Sequence, residues 1–248
     1  MTTKEFSQEF DTKLNSYDSF NAYGLTIGES IVLNEYEKSI YLTNAQEDLI
    51  KEYYSGRNST RESFEQTEEI KRYLQSLVYD IKLTNQITNT LNGVCSYSQF
   101  YQLTSELSAN ELWYIIFETA KIGNRNTIVK PITHDKVYSI LRNPLRTNFL
   151  ERTYRLDFND DTIELINKNV ITEYFIRYIK RPKPIILEDF ETLTINGYST
   201  ISQCELHESL HRTILNRAYI LALQAYSMTN NKQSNNSSNT DDNNKNNK

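Results

Sequence analysis

The chain has 248 residues, 38% hydrophobic and 12% aromatic with 18 Tyr and 10 Phe, enough apolar surface for one large domain or a domain with an appendage; six Gly and four Pro argue against a loop-dominated or low-complexity fold. A formal net charge of -5 excludes a surface that grips phosphates all over, and two widely separated cysteines, Cys95 and Cys204, exclude a dense disulfide framework and make a reducing compartment the expectation. The opening MTTKEFSQEFDTK has no apolar signal core and no apolar run approaches the ~20 residues of a membrane span, so the expectation is a soluble, unexported chain with no membrane partner.

Thr3 caps a first expected helix, Lys4 to Phe20, in which Phe6, Phe10, Leu14 and Tyr17 recur at helical spacing. That stripe needs a partner surface, either the chain's own body or a neighbour. Residues 23–29, with Gly24 and Gly28, read as a linker. Two helices are expected next, Asn34 to Tyr41 and Asn44 to Tyr54, with Thr43 capping the second and Gly56 stopping it. Ser59 or Thr60 starts a short helical piece. Thr67 caps Glu68 to Leu77, whose two leading glutamates suit the helix dipole.

The character changes near Leu77. GVCSYSQFYQL and ELWYIIFETAKI are rich in aromatic and β-branched residues, which fit a pleated surface. Trp113 to Ala120 is an expected strand, and RNTIVKPI is a second, reached through a Gly123-Asn124 turn. Thr133 caps a short helix, His134 to Leu141, ended by Asn143-Pro144. TYRLDFNDDTIELI reads as a hairpin turning at Asn159-Asp160-Asp161, and Ile171 to Ile179 adds a strand. A basic, proline-stiffened corner and a turn-rich stretch lead into a closing amphipathic helix, Cys204 to Tyr226. Leu206, Leu210, Ile214, Ala218, Leu221 and Ala225 form its stripe, widened by Leu215, Tyr219 and Ala222. From Thr229 the chain is almost wholly Asn, Ser, Lys and Asp and is expected to be disordered.

The fold class is therefore α+β, with a helical N-terminal third, an antiparallel β-rich middle, a long C-terminal amphipathic helix and a disordered Asn-rich tail. The expected borders are 1–30 for an arm helix and linker, 31–77 for a helical segment, 78–187 for the β-rich middle, 188–228 for the helix closing the same domain, and 229–248 for the tail.

His207-Glu208-Ser209-Leu210-His211 matches H-E-x-x-H, in which two His share a helix face and the Glu serves as general base for a zinc-bound water. Against a metal, no His or Glu follows His211 to supply a third ligand, and Arg212 places a cation beside the second His. Glu208 is also explained by the dipole of a helix start. Cys204 beside His207 suggests a thiolate nucleophile, or else a half-buried residue at a helix start. Asp160 and Asp161 read as turn residues, and His134 as a helix-start residue without chemistry. Two basic clusters, Arg142, Arg146, Arg152 and Arg155, then Arg177, Lys180, Arg181 and Lys183, fit phosphate contact, a solvated face, or salt bridges to an acidic neighbour.

Four stretches, LNEYEKSIYLTNAQEDLIKEYYSG, FEQTEEIKRYLQSL, YIKRPKPIIL and CELHESLHRTILNRAYILALQAY, resemble in order a family of virion proteins of crAss-like tailed phages, the ring proteins of the head-to-tail connector stacked under the portal. The resemblance covers Val32 to Tyr226. It implies a closed, twelve-fold ring in the neck of the virion, assembled in host cytoplasm. The implied partners are copies of the chain itself, the portal protein, other connector or tail proteins, and the genomic DNA passing through the channel. It implies no catalytic residue, no cofactor and no metal. On this reading Phe6, Phe10, Leu14 and Tyr17 are expected arm contacts, and Arg177, Lys180, Arg181 and Lys183 an expected corner meeting a neighbour or DNA. The alternatives are a zinc-dependent hydrolase centred on His207, Glu208 and His211, or a nucleic-acid-binding accessory protein.

Overall fold

The computed structural model describes residues 1–22, 32–57, 61, 63–84, 86–87, 92–103, 107, 111–146, 151–159 and 161–241, with the side chains of 17–22 and 228–241 outside that description. The chain divides into two compact units, Met1–Ser76 with Pro182–Lys248, and Leu77–Arg181.

The first unit is helical. α1, Thr3–Ala22, starts one residue earlier than the periodicity suggests. Thr2, rather than Thr3, is the cap, because Glu5 N–H donates to Thr2 Oγ1 while Thr2 N–H donates to Glu5 Oε2, a closed capping box. α2, Glu35–Ser55, is one continuous helix. Asn34 and Glu37 form its capping box, and Gly56, at φ +70°, ends it in the left-handed conformation. The expected break at Thr43 does not occur, for a tertiary reason. Thr43 is buried, and its hydroxyl accepts the N–H of Ile185 at 3.1 Å. One turn earlier, Ser39 Oγ accepts from Leu187 N–H at 3.1 Å; one turn later, Gln46 Nε2 donates to the carbonyl of Lys183 at 2.9 Å. The cap-like residues on α2 therefore serve the proline-bearing segment that runs along it.

α3, Glu68–Leu74, follows with Thr67 at its cap position and a 3-10 turn, Gln75–Leu77, in place of its expected last residues. The expected start at Ser59 or Thr60 lies outside the described residues. The closing helix α5, His211–Asp241, begins later than expected, because Glu208–Leu210 is a 3-10 turn and His207 is its cap. Its backbone continues into the Asn-rich segment; residues 242–248 lie outside the described ones. Leu210, Ile214, Leu215, Ala218 and Ala222 are buried and face α2 and α1. Lys38 is also buried, its ammonium held by Asp11 at 2.7 Å and Glu35 at 2.8 Å, which compensates a charge that would otherwise be costly there.

The second unit is a sheet of eight strands among the described residues: β1 Val78–Leu83, β2 Gln86–Ile87, β3 Ser98–Gln102, β4 Leu112–Ile122, β5 Arg125–Pro131, β6 Arg152–Asp157, β7 Thr162–Ile166 and β8 Glu173–Lys180, in the order β1-β8-β4-β5-β6-β7-β3-β2. β1 and β2 are absent from the sequence expectation. β4 and β5 are joined by Gly123-Asn124 with Gly123 at φ +56°, a glycine-first hairpin turn. β6 and β7 form the expected hairpin. All pairings are antiparallel but one. β5 and β6 run parallel because the chain between them crosses over through α4, Val137–Leu141, and parallel neighbours need such a crossover.

The sheet curls. β3 and β8 are distant in strand order, yet the rings of Tyr101 and Tyr174 lie 5.6 Å apart. Gln86 Nε2 and Tyr101 Oη both donate to the carbonyl of Ile171, and Ile171 N–H donates to Gln99 Oε1. The concave face thus closes over Leu83, Tyr101, Ala120, Val129, Ile163, Leu165, Tyr174, Ile176 and Tyr178. On the convex face, Val137 and Ile140 of α4 cover Tyr154, Leu156 and Ile166.

Inside the curl, Arg155 Nη1 donates to Glu118 Oε1 at 2.8 Å and Tyr174 Oη donates to Glu118 Oε2 at 2.6 Å. Burial raises the Glu118 pKa above its ordinary range, outweighing the pull of Arg155 and the Tyr174 hydrogen bond. A carboxyl raised in the folded state favours folding fully below its ordinary pKa and loses that contribution as pH rises through the raised value.

Two outcomes follow from these contacts. Thr43→Val leaves the buried Ile185 N–H unpaired and is expected to destabilise the helical unit by about 1–3 kcal/mol, read as a lower denaturant midpoint; an unchanged midpoint removes the role given to the hydroxyl. Glu118→Gln is expected to abolish the part of the decline in stability between the ordinary and raised carboxyl pKa that this group causes, seen as a flatter plot of unfolding midpoint against pH.

Candidate interaction surfaces

The H-E-x-x-H residues do not form the constellation their spacing suggests. His207 precedes the helix, where its Nδ1 accepts from the backbone N–H of Ser209, so it does not share a helical face with His211. His211 is the first residue of α5 and is buried. Its Nε2–H donates to the carbonyl of Leu206 at 3.1 Å, and its Nδ1 accepts from the Met1 amino group at 2.7 Å. One neutral tautomer satisfies both bonds, and burial lowers the pKa of the ring below its usual value. Both ring nitrogens are therefore occupied within the protein. Among the described residues, no group of three or more His, Cys, Asp or Glu is placed to hold a metal ion.

Cys204 is a free thiol whose pKa burial pushes up to about 11, the reverse of what a thiolate nucleophile needs. Asp161 belongs to the β6–β7 turn, where its N–H donates to Asn159 Oδ1; Asp160 lies outside the described residues. His134 sits in a 3-10 turn before α4, against the carbonyl of Asp157.

Three residues of the arm stripe are buried in the chain's own body. Phe6, Phe10 and Leu14 are 1%, 0% and 2% exposed, and the Phe6 ring lies 5.5 Å from His211. The side chain of Tyr17 lies outside the described residues.

The basic corner is divided among different tasks. Lys183 pairs with Glu205, and its backbone N–H donates to the same carboxylate. Lys180 pairs with Glu111 at 3.5 Å and lies over the Tyr79 ring. The N–H of Arg181 donates to the carbonyl of Glu111. Arg177 is exposed, with its guanidinium 5.9 Å from the centre of the Phe175 ring. In the other cluster, Arg155 belongs to the Glu118 network and also reaches Asp157 at 3.1 Å, while Arg142 and Arg146 are exposed and Arg152 is half-buried. A continuous phosphate-gripping track is not what these residues build.

Other exposed apolar residues were not singled out in the sequence. On the sheet they include Tyr79, Phe117 and Ile128; on the segment before α5 they are Leu193, Tyr198 and Ile201. That segment has a sequence sign of its own. Asn196-Gly197, at φ +52° and +86°, closes a hairpin bridged between Ile195 and Tyr198, as an Asn-Gly pair in such a turn does. A trough of about 710 Å³ also runs along α2 and α5, where Arg217 Nη2 donates to both Glu52 oxygens at 2.8 and 2.7 Å. It holds charged groups of both signs and Ile220.

The model of the family described as "Phage tail ring protein 3/4" matches residues 1–234. Ring protein 3 of Bacteroides phage crAss001 is 43% identical over 244 residues, which cover 94% of this chain and 100% of that protein. Ring protein 4/5 of the same phage is 32% identical over 239 residues, covering 91% of this chain and 94% of that protein.

The occupied imidazole of His211, with His207 off the helix, gives a direct expectation for zinc. Protein refolded or purified with excess zinc and then desalted is expected to hold far less than one zinc per chain, and chelator dialysis to leave its unfolding midpoint unchanged. Stoichiometric retention measured by atomic absorption contradicts the assignment.

Proposed function

The chain belongs to the phage tail ring protein 3/4 family, and from that premise we propose that it forms a closed ring of twelve copies in the head-to-tail connector, below the portal and around the channel through which DNA passes. The observation that carries this reading is the 43% identity to Ring protein 3 of Bacteroides phage crAss001 along the whole of that protein. A chain alike from end to end supplies the same folded body for assembly, rather than one shared motif within a different protein.

In this reading the work is mechanical. Copies meet one another within the ring; the portal protein and other connector or tail proteins meet it above and below; genomic DNA traverses its centre. The assembly takes place in host cytoplasm and the finished ring resides in the neck of the virion. No residue is assigned to catalysis, and no cofactor or metal is required. Closure of a ring by identical subunits demands two unlike surfaces on each copy, since a self-complementary surface stops at a dimer. The curled sheet and the helical unit supply unlike surfaces in one chain, the first with an excess of Lys and Arg over Asp and Glu and the second with the opposite balance.

Virions carrying a density tag fused after Lys248 are expected to show the tag at the neck in electron micrographs, with twelve copies resolved by symmetry-averaged reconstruction. Tag density in the capsid shell or at the distal tail, or absence of the chain from purified particles, overturns the placement.

A further inference from the structure

The convex face of the sheet is only half covered. α4 lies over β6 and β7; among the described residues of β4, β5 and β8, Phe117, Ile128 and Arg177 are exposed on this face, while Ile179 at the far end of β8 is buried. Across these strands the register places Phe117 of β4 opposite Arg177 of β8, and Thr119 of β4 between Phe175 of β8 and Ile128 of β5. Directly opposed residues share a face, so Phe117, Phe175, Ile128 and Arg177 lie together on it.

Phe117 reaches this face through an irregularity of the strand. Ile115, two residues earlier, pairs with Tyr178 and packs on the concave core. Simple alternation would put Phe117 there too. A register shift between Ile115 and Phe117 reverses the alternation, and the ring emerges 49% exposed. A bulge re-aims a side chain in this way. Ile128 beside it is 59% exposed. Lys130 extends the same face along β5, two residues beyond Ile128. Arg177 makes no ion pair with any described residue. The surface is thus an apolar centre with Arg177 and Lys130 at its rim, where lysines and arginines outnumber the carboxylates of Asp80, opposite Arg177, and of Glu173, which pairs with Lys82 and Lys121.

The helical unit carries a surface of complementary kind. The segment 186–202 is a ribbon, paired between Ile186 and Ser202 at its base and between Ile195 and Tyr198 at its tip. Phe190 N–H donates to Ser199 O, Asp189 Oδ1 accepts from Ile201 N–H, and Asn196 Nδ2 donates to Glu47 of α2. Leu193, Tyr198 and Ile201 are 47%, 43% and 51% exposed, and Glu188 and Glu191 stand exposed near them. Here the apolar groups have an anionic rim.

We infer that the open sheet face of one copy receives the acidic ribbon of the next copy, forming the head-to-tail contact of the ring. The inference rests on the ring assembly proposed above. Each surface carries exposed apolar side chains. They are also unlike, which is the condition for a contact that propagates around a ring. Apolar centres supply affinity and opposite rims supply orientation and partner choice.

The test uses the full chain and reads self-association by sedimentation, with circular dichroism confirming that each variant folds. Phe117→Asp, and independently Ile128→Asp, are expected to weaken association about tenfold or more. Arg177→Glu is expected to weaken it as well, and Glu188→Lys with Glu191→Lys in the same chain as Arg177→Glu to restore it. Folded variants that associate as the parent does, a reversed pair that gives no rescue, or a parent chain that stays monomeric at every concentration each overturn the contact. Because the readout is taken on the isolated chain, its failure is distinct from a wrong position in the virion, which the tagged particles report.

Discussion

One run of hydrogen bonds organises the helical unit. The segment 182–187 contains two prolines, neither of which donates a backbone hydrogen bond, so it is a poor member of any sheet interior. Its remaining polar groups are nonetheless buried with Ile185, Ile186 and Leu187. α2 resolves this by presenting Ser39, Thr43 and Gln46, one turn apart, which bond Leu187, Ile185 and Lys183 in antiparallel sequence. A helix thereby takes the place of a neighbouring strand. The same arrangement fixes where the chain returns to this unit, and so where the ribbon and α5 begin.

In the sheet unit, the governing constraint is curvature. A sheet that folds its concave face onto itself buries that face without help from another layer, and the aromatic rings of Tyr101, Tyr174 and Tyr178 fill the enclosed space. The curl also encloses Glu118 and Arg155, which are tolerable only because each meets the other and Tyr174 completes the set. A surface freed from core duty remains on the convex side. The sheet thus takes most of its core from one face, while Phe117 and Ile128 stand exposed on the other.

The two motifs with chemical overtones lose them for the same reason. An H-E-x-x-H carries zinc chemistry only when both imidazoles project from one helical face with free nitrogens. Here the helix starts at the second His, whose nitrogens bond a carbonyl and an amine. The thiol of Cys204 likewise sits where burial keeps it protonated. Sequence spacing records neither where a helix begins nor what surrounds a side chain.

Local chemistry was therefore legible where it depends on neighbours in the chain. The 3.6-residue stripe from Leu210 to Ala222, the Gly56 stop, the Gly123-Asn124 turn, the β6–β7 hairpin and the aromatic strand around Trp113 were all readable from the amino acids alone, because propensity, turn geometry and periodicity act over a few residues. The four stretches that resemble the ring proteins of crAss-like phages were readable for a different reason, as patterns of residue identity. Tertiary structure decided the rest. It made Thr43 a partner of Ile185 instead of a cap, turned β5 and β6 parallel through a crossover helix, buried Phe6, Phe10 and Leu14 of the first helix, and used a bulge to turn Phe117 outward. Each of these is settled by a contact between residues far apart in sequence, whose free energy exceeds the small local preferences that a linear reading can weigh.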